Sequence, residues 1–254
     1  MASATTGDRI RESYLAITVK DRLPFGRSGV VETSSLYWSM VRESLLAALL
    51  AEGLMPFHRF SEMIAGRDGL LPFYLEAAQP AMYEIGHLWE SGKITIAQEH
   101  RASARLGRLI SELHTAFICS NGETGRAVVA AVTEEYHELG AWIVSDALEI
   151  DNWETRYLGA NPPLVTIMDL VSRFRPDLLA LSVTLPANFS PARALITAIR
   201  SDPQLAGTSI LVGGQALNQY PDFWRELRAD AFAPDVQSAV IVARKLRELR
   251  QEII

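Results

Sequence analysis

The chain has 254 residues, of which 48% are hydrophobic, and it carries a formal net charge of −6 and a single cysteine, Cys119. This composition is that of a globular protein of one or two domains; it excludes an internal disulfide framework and shows no basic arm or domain of the kind that binds nucleic acid. No apolar run is long enough to span a bilayer, and the N-terminus lacks a signal-peptide core, so the sequence predicts a cytoplasmic protein.

The first half of the chain has the pattern of a helical bundle. Residues 1–35 are an extension of mixed character to which we assign no chemistry. Between residues 36 and 120 apolar side chains recur at helical spacing. Thr95 and Gln98 have the spacing of a capping box, which marks the start of the last helix. Four helices joined by short turns predict an up-and-down four-helix bundle. The predicted helices are Leu36 to about Leu49, Phe57–Ala65, Leu71–Glu90 and Ile96–Ile118.

The second half changes to strands that alternate with helices. The polar segment 120–125 is the predicted domain boundary. Beyond it, residues 126–254 predict a Rossmann-like (flavodoxin-like) doubly wound parallel sheet of five strands in the order 2-1-3-4-5. In that order the switch point lies between the first and third strands, where open α/β folds bind ligands. The predicted strands are Ala127–Thr133, Glu154–Leu158, Leu178–Leu185, Ser209–Val212 and Ala229–Ala233. The predicted helices are 138–150, 164–174, 191–201, 221–228 and 235–250.

The turn after the first predicted strand carries a recognisable polar pattern. It reads Glu135-Tyr136-His137-Glu138-Leu139-Gly140, an E-x-H-x-x-G arrangement at the carboxyl edge of the sheet. An imidazole with a carboxylate two residues before it is how proteins present a histidine to a metal. Gly140 allows close backbone approach at the start of the following helix. A solvated turn between strand and helix explains the same residues equally well.

Three further features accompany this turn. Ser182 and Thr184 place hydroxyls at alternate positions near the end of the third predicted strand, and Gly213-Gly214 ends the fourth, where the absence of side chains lets a flat group approach the backbone. In the helical half, Trp89 is followed after nine residues by Glu99-His100, across a tight turn. Taken singly, these features are explained by a capping serine, a turn, a core tryptophan and a solvated charged pair.

Together the motifs resemble the cobalamin-binding domain family, whose signature is D-x-H-x-x-G followed by S-x-L and by G-G. They resemble more closely the subgroup whose helical cap carries W-x9-E-H, which includes MerR-type light-sensing transcription repressors and cobalamin-binding antirepressors of photosynthesis genes. The resemblance covers about residues 36–250 in the family's domain order. It implies a bundle that closes over the upper face of the corrin and a Rossmann-like domain below.

The resemblance also implies roles for individual residues. His137, oriented by Glu135, would replace the nucleotide's own base as the lower ligand of cobalt. The displaced nucleotide tail would lie along Ser182 and Gly213-Gly214. Trp89 and the pair Glu99-His100 would face the upper ligand.

The sequence departs from the family pattern at three places. Glu135 stands where aspartate is usual, so its carboxylate is one methylene longer. Ser182 is followed by Val183-Thr184, with Leu185 one place late. Glu90 follows Trp89, where some light-sensing relatives have a histidine that ligates cobalt after illumination. No helix-turn-helix pattern precedes the bundle, so we expect no direct DNA binding.

The leading interpretation is a photoreceptor rather than an enzyme. Adenosylcobalamin would be held in the dark, light would break its Co–C bond, and the signal would pass to a protein partner or to self-association; methylcobalamin and hydroxocobalamin are the other forms considered. The alternative is a corrinoid protein that carries methyl groups for a methyltransferase system. A third interpretation, a metal-dependent hydrolase built on Glu135 and His137, lacks a nucleophile elbow and a second set of ligands.

Overall fold

The computed structural model describes residues 31–119 and 122–252. Most of the predicted extension 1–35 and part of the predicted boundary 120–125 therefore lie outside the described residues. Those that are described divide into two compact units. Residues 31–118 form a helical unit, and residue 119 with residues 122–252 forms an α/β unit.

The helical unit differs from the predicted helices mainly in its third element. The predicted helix Leu71–Glu90 begins four residues earlier, at Arg67, and is interrupted by a π-helical segment, Tyr74–Ala78. Pro80, just beyond this segment, has no N–H to continue the regular i→i−4 ladder, and a π-helical turn is one way to pass such a point. The helices of the unit are α1 (Val31–Leu50), α2 (Phe57–Ile64), α3 (Arg67–Phe73), α4 (Gln79–Glu90) and α5 (Ile96–Phe117).

The helical unit has its own core and well-defined helix ends. The largest of its fully buried side chains are Leu45, Leu49, Phe60, Leu70, Phe73, Tyr74, Ile85, Leu106, Leu109, Ile110 and Leu113. Arg105 on α5 donates to carbonyls at the end of α1, at 3.0 Å from Ala48 O and 2.6 Å from Ala51 O. The predicted capping box is confirmed, because Thr95 Oγ1 accepts from Gln98 N–H and Gln98 Oε1 accepts from Thr95 N–H. The box fixes the first residue of α5.

The α/β unit is the predicted doubly wound sheet. Its five described strands are all parallel and lie in the order β2-β1-β3-β4-β5, which confirms the predicted order and the switch point between β1 and β3. The strands are β1 (Gly125–Ala131), β2 (Trp153–Tyr157), β3 (Leu178–Ser182), β4 (Ser209–Gly213) and β5 (Ala231–Ala233). The helices are α6 (Leu139–Ile150), α7 (Leu164–Phe174), α8 (Phe189–Ser201), α9 (Gln215–Gln219), α10 (Phe223–Leu227) and α11 (Val236–Gln251).

Several predicted elements of this unit have other ends in the structure; the first strand, for example, ends at Ala131 rather than Thr133. The third strand ends at Ser182 rather than Leu185, because the chain turns into a 3₁₀ helix, Pro186–Asn188. The predicted helix at 221–228 is the shorter α10, Phe223–Leu227, and a further short helix, α9, precedes it at Gln215–Gln219. Within the segments that the structure describes, no helix has the length and apolar character needed to cross a membrane.

The central strand β1 is buried on both faces of the sheet, as its apolar sequence predicts. Val128 and Ala130 pack into the cluster on one face, and Ala127 and Val129 pack into the cluster on the other. A strand covered on both sides needs apolar residues at successive positions, since alternate side chains point to opposite faces. The first polar residues after it therefore emerge at the carboxyl edge, beside the end of β3.

Candidate functional site

The turn between β1 and α6 is held in place by neighbouring segments. Glu134 adopts a left-handed conformation with φ 68°. Its N–H donates to Asn161 Oδ1 at 2.8 Å, and the Asn161 N–H donates to Glu135 O, also at 2.8 Å. A non-glycine residue at positive φ persists only where its surroundings hold it. The segment after β2 thus supports the turn that carries His137.

Glu135 and His137 form the centre of the site. His137 Nδ1 lies 2.6 Å from Glu135 Oε1, and the same oxygen accepts the His137 backbone N–H at 3.1 Å. The Glu135 side chain is fully buried, whereas the His137 side chain is 57% exposed. The longer carboxylate therefore reaches the imidazole, although glutamate departs from the family pattern.

The environment of Glu135 keeps its carboxyl group ionised. Burial acts to raise its pKa, but hydrogen bonds from His137, from Asn188 and from backbone N–H groups outweigh burial and lower the pKa to about 2. An ionised carboxylate only accepts hydrogen bonds, so the proton of a neutral His137 ring lies on Nδ1. The lone pair that can bind a metal is then on Nε2.

The second oxygen of Glu135 binds donors from the segment after β3. Oε2 accepts from Thr184 N–H at 2.8 Å, from Leu185 N–H at 3.1 Å and from Asn188 Nδ2 at 2.8 Å. Sequence reasoning did not identify Leu185 or Asn188 as part of the site. The only signal in the sequence is that both lie just past a strand end at the carboxyl edge of the sheet.

The predicted alternation of hydroxyls along the third strand at Ser182 and Thr184 is wrong, because the strand ends at Ser182. Ser182 is the last residue of β3 and is half-buried, opposite Ala131 and Gly213 in the strand register. Thr184 lies beyond the strand, so the alternation of hydroxyls does not extend to it. Its contribution to the site is its backbone N–H. Gly140 is exposed, and a Cβ added to it would meet only Ser182 Oγ, at 3.8 Å.

Packing within the sheet explains why positions 213 and 214 are both glycine. A Cβ on Gly213 would lie 2.8 Å from Ala233 O, and one on Gly214 would lie 2.4 Å from Val183 O. Gly214 also has φ 104°, which disfavours any residue with a Cβ. The fold therefore requires both glycines. That a nucleotide tail also lies against them stays a prediction.

Gly214→Ala is expected to lower the free energy of unfolding by roughly 2–4 kcal/mol, because the new methyl group meets a backbone carbonyl and the φ angle is unfavourable. Gly86 is the matched control: it lies in the middle of α4 with nothing within 4 Å of an added Cβ. Gly86→Ala is expected to raise stability by about 1 kcal/mol through helix propensity. Denaturant unfolding of the cofactor-free protein measures both. Equal effects would contradict the steric argument.

The helical unit places its three predicted site residues at the α4–α5 turn. Trp89 is the penultimate residue of α4, and its side chain is 46% exposed rather than part of the core. On the first turn of α5, Glu99 Oε2 lies 2.5 Å from His100 Nδ1, and Glu99 Oε1 accepts from Ser103 Oγ at 2.7 Å. The structure thus brings Glu99 and His100 into direct contact and adds Ser103, which the sequence pattern had not indicated.

His137 would supply one ligand to a metal that is held within its own cofactor. His137 is an exposed imidazole whose Nδ1 is bound by a buried, ionised carboxylate, which is the arrangement of a metal-binding histidine. Within residues 31–119 and 122–252, no cluster of three or more His, Cys, Asp or Glu side chains is placed to hold a metal ion. His137 would hold the cobalt of a corrin, and the macrocycle would supply the other ligands.

Comparison with known proteins agrees with this chemistry. The B12 binding domain family matches residues 125–241, and a second B12 binding domain family matches residues 42–113. The HTH-type transcriptional repressor CarH of Myxococcus xanthus is 29% identical over 195 residues, which cover 75% of this chain and 63% of the repressor. Dimethylamine corrinoid protein 2 of Methanosarcina acetivorans is 24% identical over 168 residues, which cover 65% of this chain and 76% of that protein.

A solved structure extends the comparison to the fold. The monomethylamine corrinoid protein of Methanosarcina barkeri superposes with a TM-score of 0.67 at 15% identity, covering 83% of this chain and 98% of that one. The chain spans less than two thirds of the repressor's length. The match at residues 42–113 falls on the helical unit, and the match at residues 125–241 falls on the α/β unit. The chain therefore has a helical region followed by a Rossmann-like region that each match a B12 binding domain, which supports the binding of cobalamin.

Proposed function

We propose that this chain is a light sensor that holds adenosylcobalamin base-off, with His137 Nε2 as the lower ligand of cobalt. The observation that carries the proposal is the hydrogen bond between the buried, ionised Glu135 and Nδ1 of the exposed His137 ring. In the neutral ring that bond places the proton on Nδ1, leaves the lone pair of Nε2 available and directs the ring, as a nitrogen ligand requires.

The displaced nucleotide tail is proposed to lie along the carboxyl ends of β3 and β4. Ser182 and Gly213 are opposite each other in the register, and both are half-buried. Because Gly140 has no side chain, the space beside Ser182 Oγ stays open. Thr184, Gly213 and Gly214 complete this proposed set of contacts. A hydroxyl and several backbone groups offer hydrogen bonds to a phosphate or a ribose there.

The upper ligand is proposed to contact Trp89, Glu99 and His100. A half-exposed indole offers a broad apolar surface to an adenosyl group, and the Glu99–His100 pair offers polar contacts to its ribose and base. When bound, adenosylcobalamin supplies a Co–C bond that light breaks. After illumination these three side chains lose the group that they contacted.

The output is proposed to pass through protein contact, either with a partner or between copies of this chain. A ligand shifts a conformational equilibrium only by the difference between its affinities for the two states. The contacts of Trp89, Glu99 and His100 to the adenosyl group would supply that difference in the dark. The formal net charge of −6 also favours a protein partner over the phosphate backbone of DNA.

Illumination of the adenosylcobalamin complex is expected to change its elution volume in size-exclusion chromatography, or its binding to a partner protein. The hydroxocobalamin complex, which has no Co–C bond, serves as the control and should elute identically before and after the same light dose. An unchanged profile and unchanged partner binding for the adenosylcobalamin complex would contradict the sensor proposal.

The second candidate is a carrier of methyl groups for a methyltransferase system. It is favoured by the similarity to the dimethylamine corrinoid protein of Methanosarcina acetivorans. A carrier must expose its upper ligand repeatedly to other enzymes, so it should accept methylcobalamin at least as tightly as adenosylcobalamin. The sensor proposal expects the opposite order, because only the adenosyl group reaches Trp89 and the Glu99–His100 pair. Competition between the two cobalamins for the cofactor-free protein distinguishes them.

A further inference from the structure

Strand β2 is the outermost strand at one side of the sheet, so among the described residues only β1 pairs with it. Just after β2, Leu158 N–H donates to Val129 O on β1 at 2.9 Å. Successive residues of a strand direct their N–H and C=O groups to opposite sides, so Thr155, three positions earlier, directs its own away from β1. An outer strand of this kind offers backbone donors and acceptors to a further strand.

Two charged residues flank Thr155 on the other face of β2. The side chains of Glu154 and Arg156 are both partly exposed, and Arg156 Nη2 lies 2.8 Å from Glu154 Oε1. Arg156 Nη1 also donates to Thr155 O at 3.1 Å, and its Cζ lies 4.8 Å from the centroid of the Phe174 ring. In a single copy the arginine thus covers the outer carbonyl of the strand. The acidic residue precedes Thr155 and the basic residue follows it, an order that a second copy can match.

The segment Glu154-Thr155-Arg156 is complementary to itself when two strands run antiparallel. With Thr155 opposite Thr155 of a second copy, the two residues exchange both of their N–H···O bonds. Glu154 of each copy then lies opposite Arg156 of the other, at a position where side chains approach closely. A shift by two residues places Glu154 opposite Glu154, or Arg156 opposite Arg156, and like charges there are destabilising. One register therefore matches both charges.

We propose that β2 is a self-association surface: two copies pair their β2 strands antiparallel about Thr155 and form one sheet with five strands from each copy. Such a contact is two-fold symmetric and uses the same surface on both copies. The backbone bonds supply the affinity, and the Glu154–Arg156 pairs between copies select the register. Because β2 has only five residues, the dimer is weak and depends on protein concentration. The inference uses none of the residues that the proposed function assigns to cobalamin, so it does not depend on that function.

The first test traps the register with cysteines in the full chain. All proteins carry Cys119→Ser, because Cys119 is exposed and would form disulfides of its own. The opposed residues 154 and 156 would have Cα atoms about 4.5 Å apart, which a disulfide can bridge. Glu154→Cys and Arg156→Cys proteins, mixed and oxidised, should therefore give a covalent dimer. Either variant alone should give about tenfold less or lower still, because its two cysteines lie beyond the reach of a disulfide. Equal yields in all samples would overturn the inference, as would no dimer in the mixture, the result expected if another protein's strand binds this edge.

The second test reverses the charges and follows dimerisation of the full chain by sedimentation equilibrium over a series of concentrations. Glu154→Arg places two arginines opposite each other at both contacts, so the dissociation constant of the dimer should rise about tenfold or more. The double variant Glu154→Arg/Arg156→Glu restores opposite charges at both contacts. Its dissociation constant should return to that of the wild type.

Arg108→Glu is the matched control for the charge reversals. Arg108 is also an exposed arginine beside a carboxylate and over an aromatic ring, but it lies in the helical unit. This variant should dimerise as the wild type does, and circular dichroism confirms that every variant is folded. A wild-type chain that stays monomeric at all concentrations, or a double variant that dimerises no more tightly than Glu154→Arg, would contradict the proposed pairing. Neither result bears on the proposed binding of cobalamin.

Discussion

Replacing His137 with alanine is expected to remove the protein nitrogen from the lower face of bound cobalt. His137 is the exposed side chain that Glu135 orients, and alanine has no atom that binds a metal. In protein labelled with nitrogen-15 histidine and loaded with cob(II)alamin, a nitrogen ligand of cobalt splits the lines of the electron paramagnetic resonance spectrum into doublets. These doublets should disappear in the variant. The optical spectrum should change to that of a cobalamin without a lower nitrogen ligand. The affinity should fall by at least about tenfold, the lower limit of the effect of losing a group behind the ligand.

His87→Ala is the control for this experiment. His87 is another exposed histidine beside a carboxylate, with Nδ1 3.6 Å from Glu90 Oε2 and 72% of its side chain exposed. It lies in the helical unit and is not a proposed ligand, so the doublets and the spectrum should be those of the wild type. Doublets that persist in His137→Ala, or that vanish in His87→Ala, would show that the lower ligand has been wrongly assigned.

Trp89→Ala is expected to weaken adenosylcobalamin far more than hydroxocobalamin. Burial of the exposed half of the indole against an adenosyl group is worth about 1.5–3 kcal/mol, which corresponds to roughly 10- to 100-fold in affinity. Hydroxocobalamin has no group that reaches the ring, so its affinity should change little. Titration of the cofactor-free variant with each cobalamin in the dark measures the difference.

The exposure of Trp89 helps to separate an effect on cobalamin binding from an effect on stability. A tryptophan in the core would cost ~3–5 kcal/mol of stability when truncated, whereas truncation of a residue that is 46% exposed removes only part of that packing and should cost less. Tyr83→Ala is the matched control, since Tyr83 lies on the same helix and is 41% exposed. It should bind both cobalamins as the wild type does. Equal weakening of the two cobalamins by Trp89→Ala would place the indole away from the upper ligand.

Local pattern was sufficient for the elements of the fold and for part of the site. The apolar run of β1 predicts a strand buried on both faces, and the alternation that follows predicts the order of the sheet and its switch point. Glu135 and His137 are two residues apart, so their contact depends on one turn. The Thr95–Gln98 capping box is likewise a matter of spacing along the chain.

Helical periodicity did not give the exposure of Trp89. Ile85 lies one turn before it on α4 and is fully buried, so the spacing alone would bury Trp89 as well. The end of the helix leaves the ring beyond the core of the helical unit, where a half-exposed surface remains. Exposure at a helix end depends on which neighbours cover it, and spacing does not contain that information.

The sequence by itself determined the two-part fold, the position of the histidine turn and the carboxylate beside it, because these depend on periodicity and on residues close together in the chain. Only the tertiary structure decided how Glu135 is held. Thr184, Leu185 and Asn188 lie about fifty residues away and reach the carboxylate through two backbone N–H groups and one amide. Every residue except proline has a backbone N–H, so residue type does not reveal which N–H groups point at Glu135. The direction of these N–H groups depends on where β3 ends beside β1.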